Sequence, residues 1–325
     1  MDIDRREFIL AGAAAAAAPV LGAAAGDAVK RGPLGKIVGK LPPGRYDCHQ
    51  HVYGSCRPDP EGLAKSMASA GLKGGVLFSQ CSGDWHPMWV DRPGHKAPSP
   101  ETIMDTVIAW CAGSPTLYPF YWIEPDSPTA MAEIDLALKK GMYGFKVMRP
   151  AGMPLTPAIE PVYRRIAETG KPTIFHTGIL WDHAASSQYF RPTNWEAFIK
   201  MKGFRFAAAH ISWPWVEECV ALFGKLLAAR DDLKDDMCRM FIDTTPGTPP
   251  GRRRAALELL YTIGWPLEQI QGNVMFGTDC FVNAYDAKRP RLFMDIDDKV
   301  YRDLKLSSEM VDSIYRGALE NFLFG

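Results

Sequence analysis

The feature that most constrains this chain is an alternation. From Arg45 onward, short runs rich in β-branched and aromatic residues recur eight times, separated by longer segments with helical periodicity. The runs are Arg45–His51, Gly74–Gln80, Leu117–Ile123, Tyr143–Met148, Pro172–His176, Phe204–His210, Met240–Asp243 and Asn273–Thr278. Helices are expected at Pro60–Ala70, Pro100–Ala112, Pro128–Lys140, Thr156–Thr169, Asn194–Met201, Trp215–Ala229, Arg252–Ile263 and Ser307–Phe322. Ser99-Pro100, Ser127-Pro128 and Ser307-Ser308-Glu309 carry the entry signals of helices. Eight such units in about 280 residues fit a single-domain α/β fold, a (β/α)8 TIM barrel, whose usual length is about 250. The competitor is a doubly wound open sheet, which wants a Gly-rich turn after its first strand. Here that strand ends in His49-Gln50-His51.

Polar residues concentrate at the strand ends. His49, His51, His176 and His210 close three of the runs, and Asp279 follows the eighth. In a barrel the carboxyl ends of the strands form the mouth where sites are built. Strand alternation places His49 and His51 on one face, about 7 Å apart along the strand, with Cys48 and Gln50 turned toward the helices. Two imidazoles so placed can converge on one ion; the competing reading is a polar core. The first and eighth strands of a closed barrel are neighbours, so Asp279 is expected beside His49 and His51.

The order Asp47-x-His49-x-His51, then His176, His210 and Phe276-Gly277-Thr278-Asp279, resembles the amidohydrolase superfamily. It is closest to the amidohydrolase-related branch that holds aminocarboxymuconate-semialdehyde decarboxylase. The closing Ala318-Leu319-Glu320-Asn321-Phe322-Leu323-Phe324-Gly325 looks like that branch's last helix, with Ala-Leu-Glu-Asn in place of the usual Asn-Ala pair. The resemblance spans Arg45 to Gly325. It implies that His49, His51, His176 and Asp279 ligate one divalent metal, with His210 a catalytic imidazole and Asp279 a proton carrier. Three imidazoles and a carboxylate suit Zn2+ best, with Mn2+, Fe2+ and Co2+ as alternatives. The implied activity is hydrolysis, a metal-activated water attacking an amide, lactone or ester of a small organic substrate, carboxylated or aromatic. The branch also holds nonoxidative decarboxylases on the same ligands, and a lactonase type that needs no metal. A non-catalytic exported binding protein is the reading from a different class.

Lys146 ends the fourth strand. In binuclear relatives a carbamylated lysine from this strand bridges two metals; a substrate contact or structural ion pair is the favoured reading here. Arg149, just beyond, can take a substrate carboxylate bidentately or be a solvated loop residue. Arg57, Arg92 and Arg191 are further arginines near the mouth by position. Trp85, Trp89, Trp181, Trp213 and Trp215, with His86, His95 and His183, suggest an aromatic-lined mouth, with loop packing as the alternative. Trp85 and Trp181 are the substrate-contact candidates among them. Arg252-Arg253-Arg254 reads as a solvated helix start or an anion site.

The first 25 residues read as an address. Arg5-Arg6 precede Phe8 and an Ala-rich uncharged run that ends in small residues, which is the layout of a twin-arginine signal peptide. The run, about 16 residues, is short and weakly apolar for a span of about 20. Export by the twin-arginine machinery to the periplasm is therefore expected, with no stable membrane span after cleavage. Residues 26–44 read as a linker or loose arm, and 45–325 as the barrel. Lys+Arg 37 balance Asp+Glu 37, so nothing in the charge points to a nucleic-acid partner. Seven cysteines without a Cys-x-x-Cys pair read mostly as buried small hydrophobes. The expected partner is a small-molecule substrate, and a homo-oligomer stays open.

Overall fold

A computed structural model of the chain describes residues 41–52, 57–81, 98–148, 155–181, 185–247, 250–263, 265 and 267–325. The signal segment, most of the arm, and Trp85, Trp89, Arg92 and Arg149, with the loop histidines His86, His95 and His183, lie outside them. The strands are β1 Arg45–His51, β2 Leu72–Phe78, β3 Leu117–Trp122, β4 Gly144–Val147, β5 Thr173–Phe175, β6 Arg205–Ala208, β7 Arg239–Asp243, β8 Val274–Met275 and β9 Cys280–Phe281. All neighbouring strands are parallel, in the order β8-β7-β6-β5-β4-β3-β2-β1-β9. The helices are α1 Pro60–Ala70, α2 Pro100–Trp110, α3 Ala130–Lys140, α4 Glu160–Glu168, α5 Val216–Leu233, α6 Pro250–Thr262, α7 Leu267–Ile270, α8 Lys288–Asp303, α9 Ser308–Asp312 and α10 Ala318–Phe324.

This is the (β/α)8 barrel, with its eighth strand in two pieces. β8 pairs with β7, and β9 pairs with β1. Between them the Cys48 N–H donates to the Phe276 carbonyl and the Asp279 N–H to the His49 carbonyl, each at 2.9 Å, which closes the ring. The expected uninterrupted strand Asn273–Thr278 is broken because Asp279 turns into the left-handed region at φ 58°. Aspartate tolerates that conformation better than most residues.

Period-two burial sorts the strand side chains into two cores. Val76, Phe78, Phe120, Ile174, Ala207, Phe241 and Met275 fill the barrel. Leu77, Tyr121, Phe145, Phe175, Phe206 and Ile242 face the helices. The last helix belongs to the inner core. Phe322 of α10 stacks against Phe120 and packs edge-on to Phe241, while Arg205 at the start of β6 donates to the Phe322 carbonyl. That contact places α10 across the end of the barrel opposite the histidines.

One sequence expectation is corrected here. Cys48 does not face the helices; it lies in the inner core, with its thiol toward the Asp243 carboxylate. The cause is a bulge. Asp47 pairs with Gly75 but Gln50 pairs with Leu77, so β1 advances three residues while β2 advances two. The extra residue lets Cys48 and the histidine pair share the interior.

The helix starts follow their caps. Ser99 accepts the Thr102 N–H before α2, and Ser307 accepts that of Met310 before α9. After β5, the expected helix Asn194–Met201 is instead a pair of 3-10 turns, Ser187–Phe190 and Pro192–Phe198. The closing helix is interrupted by a π turn at Ser313–Gly317. Helix α8 had no counterpart among the expected helices. No described helix is long and apolar enough to cross a membrane. Cys48, Cys81, Cys111, Cys219, Cys238 and Cys280 are buried thiols outside any disulfide, and the Cys81 thiol donates to Glu124.

Candidate metal centre

His49 and His51 project from the end of β1 into the mouth, where their Nε2 atoms stand 3.2 Å apart. Asp279 reaches both, its Oδ1 lying 3.2 Å from His51 Nε2 and 3.5 Å from His49 Nε2. The trio joins because the Asp279 N–H is tied to the His49 carbonyl, as closure of the barrel requires.

Two carboxylates hold this trio in place. Asp243, at the end of β7, accepts the His49 Nδ1–H through Oδ2 at 2.6 Å, and its Oδ1 accepts the Thr245 N–H at 2.7 Å. Asp47 accepts the His49 N–H and the Thr278 N–H, each at 3.0 Å, and also the Thr278 hydroxyl. Asp47 thus ties the base of the histidine pair to the segment that carries Asp279. Close approach matters as well. A Cβ on Gly277 would lie 2.0 Å from Thr245 Oγ1 and 3.0 Å from both Asp243 Oδ1 and His49 Cβ.

His176 and His210 form the adjoining pair, with His176 Nδ1 at 3.2 Å from His210 Nε2 and ring centroids 4.8 Å apart. His210 in turn lies 5.1 Å from His49, centroid to centroid, so the four imidazoles are contiguous. His210, Ile211 and Ser212 all have left-handed φ, at 63°, 49° and 54°. For a β-branched residue such as Ile211 this is strained backbone. Thr177 holds the strained turn, its hydroxyl donating to the Ala209 carbonyl at 2.6 Å and lying 2.8 Å from Ser212 Oγ. Lys146 is fully enclosed at the end of β4, with Nζ 3.4 Å from His49 Nε2 and 4.7 Å over the Phe78 ring.

Charge states follow from burial. Burial and the Lys146 charge push the His49 imidazole down to about 3, which leaves it neutral. His176 is held well below the ordinary value by burial and by His210, and burial lowers His210 too. Burial takes Lys146 down to about 8 and Asp47 up to about 7. For Asp279 and Asp243 burial pulls upward, but the facing histidines outweigh it, so both stay ionised.

The donor set fits a divalent metal. His49, His51 and Asp279 offer three ligand atoms within 4.8 Å of one another. The hydrogen bond from His49 Nδ1–H to Asp243 leaves Nε2 as the lone pair, the arrangement that orients metal-ligating histidines. His176 is not part of that trio; it joins the site through His210, and its Nε2 is buried without a hydrogen-bond partner. A buried nitrogen without a partner is costly, and a metal ligand bond would satisfy it.

The mouth is partly described. Trp181 is 57% exposed and stacks on Trp213 at 6.2 Å. Phe281 and Trp122 flank His51. Arg191 is engaged by Glu218 and lies over the Trp215 ring, while Arg57 is exposed. In the arginine run, Arg253 is buried against Asp297, and Arg254 pairs with Glu258 and Asp303.

Sequence reasoning missed Asp243 and Asp47 as site residues. The same signal was available for Asp243, a carboxylate ending a strand. Asp47 carries no such local signal, because its partner Thr278 lies 231 positions away.

Residues 46–320 match the model of the family described as Amidohydrolase. Among solved structures, an amidohydrolase from Burkholderia multivorans with bound HEPES has a TM-score of 0.55 at 10% identity, covering 86% of this chain and 99% of that one. The D-hydantoinase (dihydropyrimidinase) from Thermus sp. has a TM-score of 0.51 at 12% identity, covering 86% of this chain and 70% of that one. At these identities the likeness is one of fold. Comparison with curated proteins finds no match.

Proposed function

The chain belongs to the amidohydrolase family, and from that premise we propose that it is a metal-dependent hydrolase of small organic amides, lactones or esters, exported to the periplasm. The observation that carries this reading is the trio His49, His51 and Asp279, with the His49 tautomer fixed by Asp243. His49, His51 and Asp279 would hold one divalent metal, zinc best matching nitrogen and carboxylate donors, with His176 Nε2 as the fourth donor. Such a metal supplies Lewis acidity, polarising a carbonyl and acidifying a water near neutral pH.

The chain's own groups do the rest. Asp279 is ionised, and its side chain is 32% exposed toward the mouth, so it can take a proton from the attacking water and return it to the leaving group. His210, kept neutral by burial, orients the substrate carbonyl or the water. The enclosing fold keeps these groups fixed before substrate arrives, so little reorganisation accompanies the reaction. Trp181, stacked on Trp213, offers a flat apolar surface for a planar substrate, and Arg149 and Trp85 are proposed as further contacts. Lys146 lies against His49 and supports the site from below. Residues 1–25 are proposed as the twin-arginine leader.

The test uses protein purified, stripped with a chelator and reloaded with zinc or cobalt. It is assayed on a panel of amides, lactones, esters and aromatic carboxylates. About one metal per chain and turnover of a panel member that follows metal loading are expected. Turnover unchanged by complete metal removal sinks the reading. Carbon dioxide release without hydrolysis reassigns the site to a lyase.

A further inference from the structure

We propose that Arg253 is a positioning residue of the metal centre, acting through one peptide group on Asp243 and so on His49. The inference rests on the reading above that His49 is a ligand. Arg253 and Asp297 are 2% and 0% exposed. Arg253 Nε and Nη2 donate to the two Asp297 oxygens, each at 2.5 Å, and Nη1 donates to the Thr244 carbonyl at 2.6 Å. The other end of that peptide group is the Thr245 N–H, which donates to Asp243 Oδ1. Asp243 Oδ2 takes the His49 Nδ1–H. A guanidinium on the oxygen of an amide fixes the plane of that amide and polarises its N–H, strengthening the next bond in the chain. The route runs from Asp297 on α8 through Arg253 on α6 and the end of β7 to the imidazole.

Stability alone does not explain this pair. A buried ion pair can be replaced by apolar residues of similar volume at little or no loss. Phe293 lies beneath the guanidinium, and the Tyr301 hydroxyl stands 3.5 Å from Asp297 Oδ2. An apolar pair, however, could not reach the Thr244 carbonyl. The same helix touches the second half of the site, where Arg289 Nε lies 3.4 Å from the Thr278 carbonyl, next to Asp279. Helix α8 thereby bears on both strand ends that shape the trio.

The experiment compares three variants with the full wild-type chain: Arg253→Met with Asp297→Leu, Arg253→Lys alone, and Arg254→Ala on the exposed side of the same helix. Two readouts are used. One is the downfield proton resonance of the His49 Nδ1–H in metal-free protein; the other is affinity for Co2+ measured against a competing chelator. The apolar double variant is expected to stay folded but to melt lower than wild type, because the buried Thr244 carbonyl loses its donor, to lose or broaden the resonance, and to bind Co2+ about tenfold more weakly. Arg253→Lys keeps the charge against Asp297 but not the fork that also reaches Thr244, and shifts both readouts the same way. Arg254→Ala leaves both unchanged. Folded Arg253 variants that retain the wild-type resonance and affinity overturn the inference. So does a wild-type protein without the resonance. A wild-type protein that shows the resonance but binds no Co2+ sinks the metal reading alone, and the resonance in the variants then decides this one.

Discussion

Replacing Asp243 with asparagine changes one atom type and keeps the shape, yet it should disable the site. Both carboxylate oxygens accept hydrogen bonds, Oδ2 from His49 Nδ1 at 2.6 Å and Oδ1 from the Thr245 N–H at 2.7 Å. An amide has one acceptor oxygen, so one of these donors must face an NH2 group. If the amide oxygen stays with His49, the Thr245 N–H is orphaned inside the protein, which costs about 1–3 kcal/mol. If it turns to Thr245, His49 meets a donor at Nδ1 and shifts its proton to Nε2. That proton then occupies the atom facing His51 and Asp279 and removes the lone pair a metal requires. Loss of such a partner weakens metal binding by about 10–100-fold. The two orientations are separated by running urea unfolding of metal-free protein beside a cobalt titration. Asp243→Asn should lose stability, metal affinity or a share of both. A variant within about 0.5 kcal/mol of wild type that also binds cobalt as tightly would refute the tautomer argument.

Gly277→Ala places a methyl group 2.0 Å from Thr245 Oγ1, the hydroxyl that donates to Asp243 Oδ1, so the threonine must swing away from Asp243; reduced cobalt affinity in a folded protein is expected, and unchanged affinity would show that the loop yields freely. Thr177→Val removes the hydroxyl that holds the Ala209 carbonyl and Ser212, both buried. Denaturant unfolding should show a loss of about 1–3 kcal/mol, and an unchanged midpoint would remove the clamp from the account. Phe322→Ala empties the stack between Phe120 and Phe241 at the closed end of the barrel. It should cost about 3–5 kcal/mol in unfolding experiments while leaving metal affinity intact, because the histidines lie at the other end. A loss of metal binding in a protein that still folds would contradict that separation.

The barrel was legible because its strands obey a local rule. Seven of the eight expected strands coincide with observed ones to within about two residues, the usual uncertainty of element ends. Where the expectation slipped, a non-local cause is visible. The bulge in β1 depends on its register against β2, which no local pattern encodes, and it moved Cys48 inside. The split of the eighth strand follows from the left-handed turn at Asp279, which is stabilised by the bond its N–H donates to the His49 carbonyl of β1. The expected helix after β5 is a pair of 3-10 turns, the second starting at Pro192, and no local signal in Asn194–Met201 announces it.

For the site, strand ends identified the histidines and Asp279, since barrel geometry converts sequence position into spatial convergence. Their supports stayed hidden, and α8 shows why. Its buried face includes Phe293, Asp297, Val300 and Tyr301, so an apparently misplaced charge interrupts the apolar stripe that would announce a helix. Read locally, Asp297 argues against burial. Its partner, Arg253, lies 44 positions earlier in a run of three arginines that looks like a solvated surface. Each residue makes the other's burial tolerable, and neither signal can be interpreted without the pairing. A charged residue that breaks an amphipathic pattern is therefore evidence of a partner elsewhere in the fold. Here that partner also holds a peptide group two hydrogen bonds away from His49.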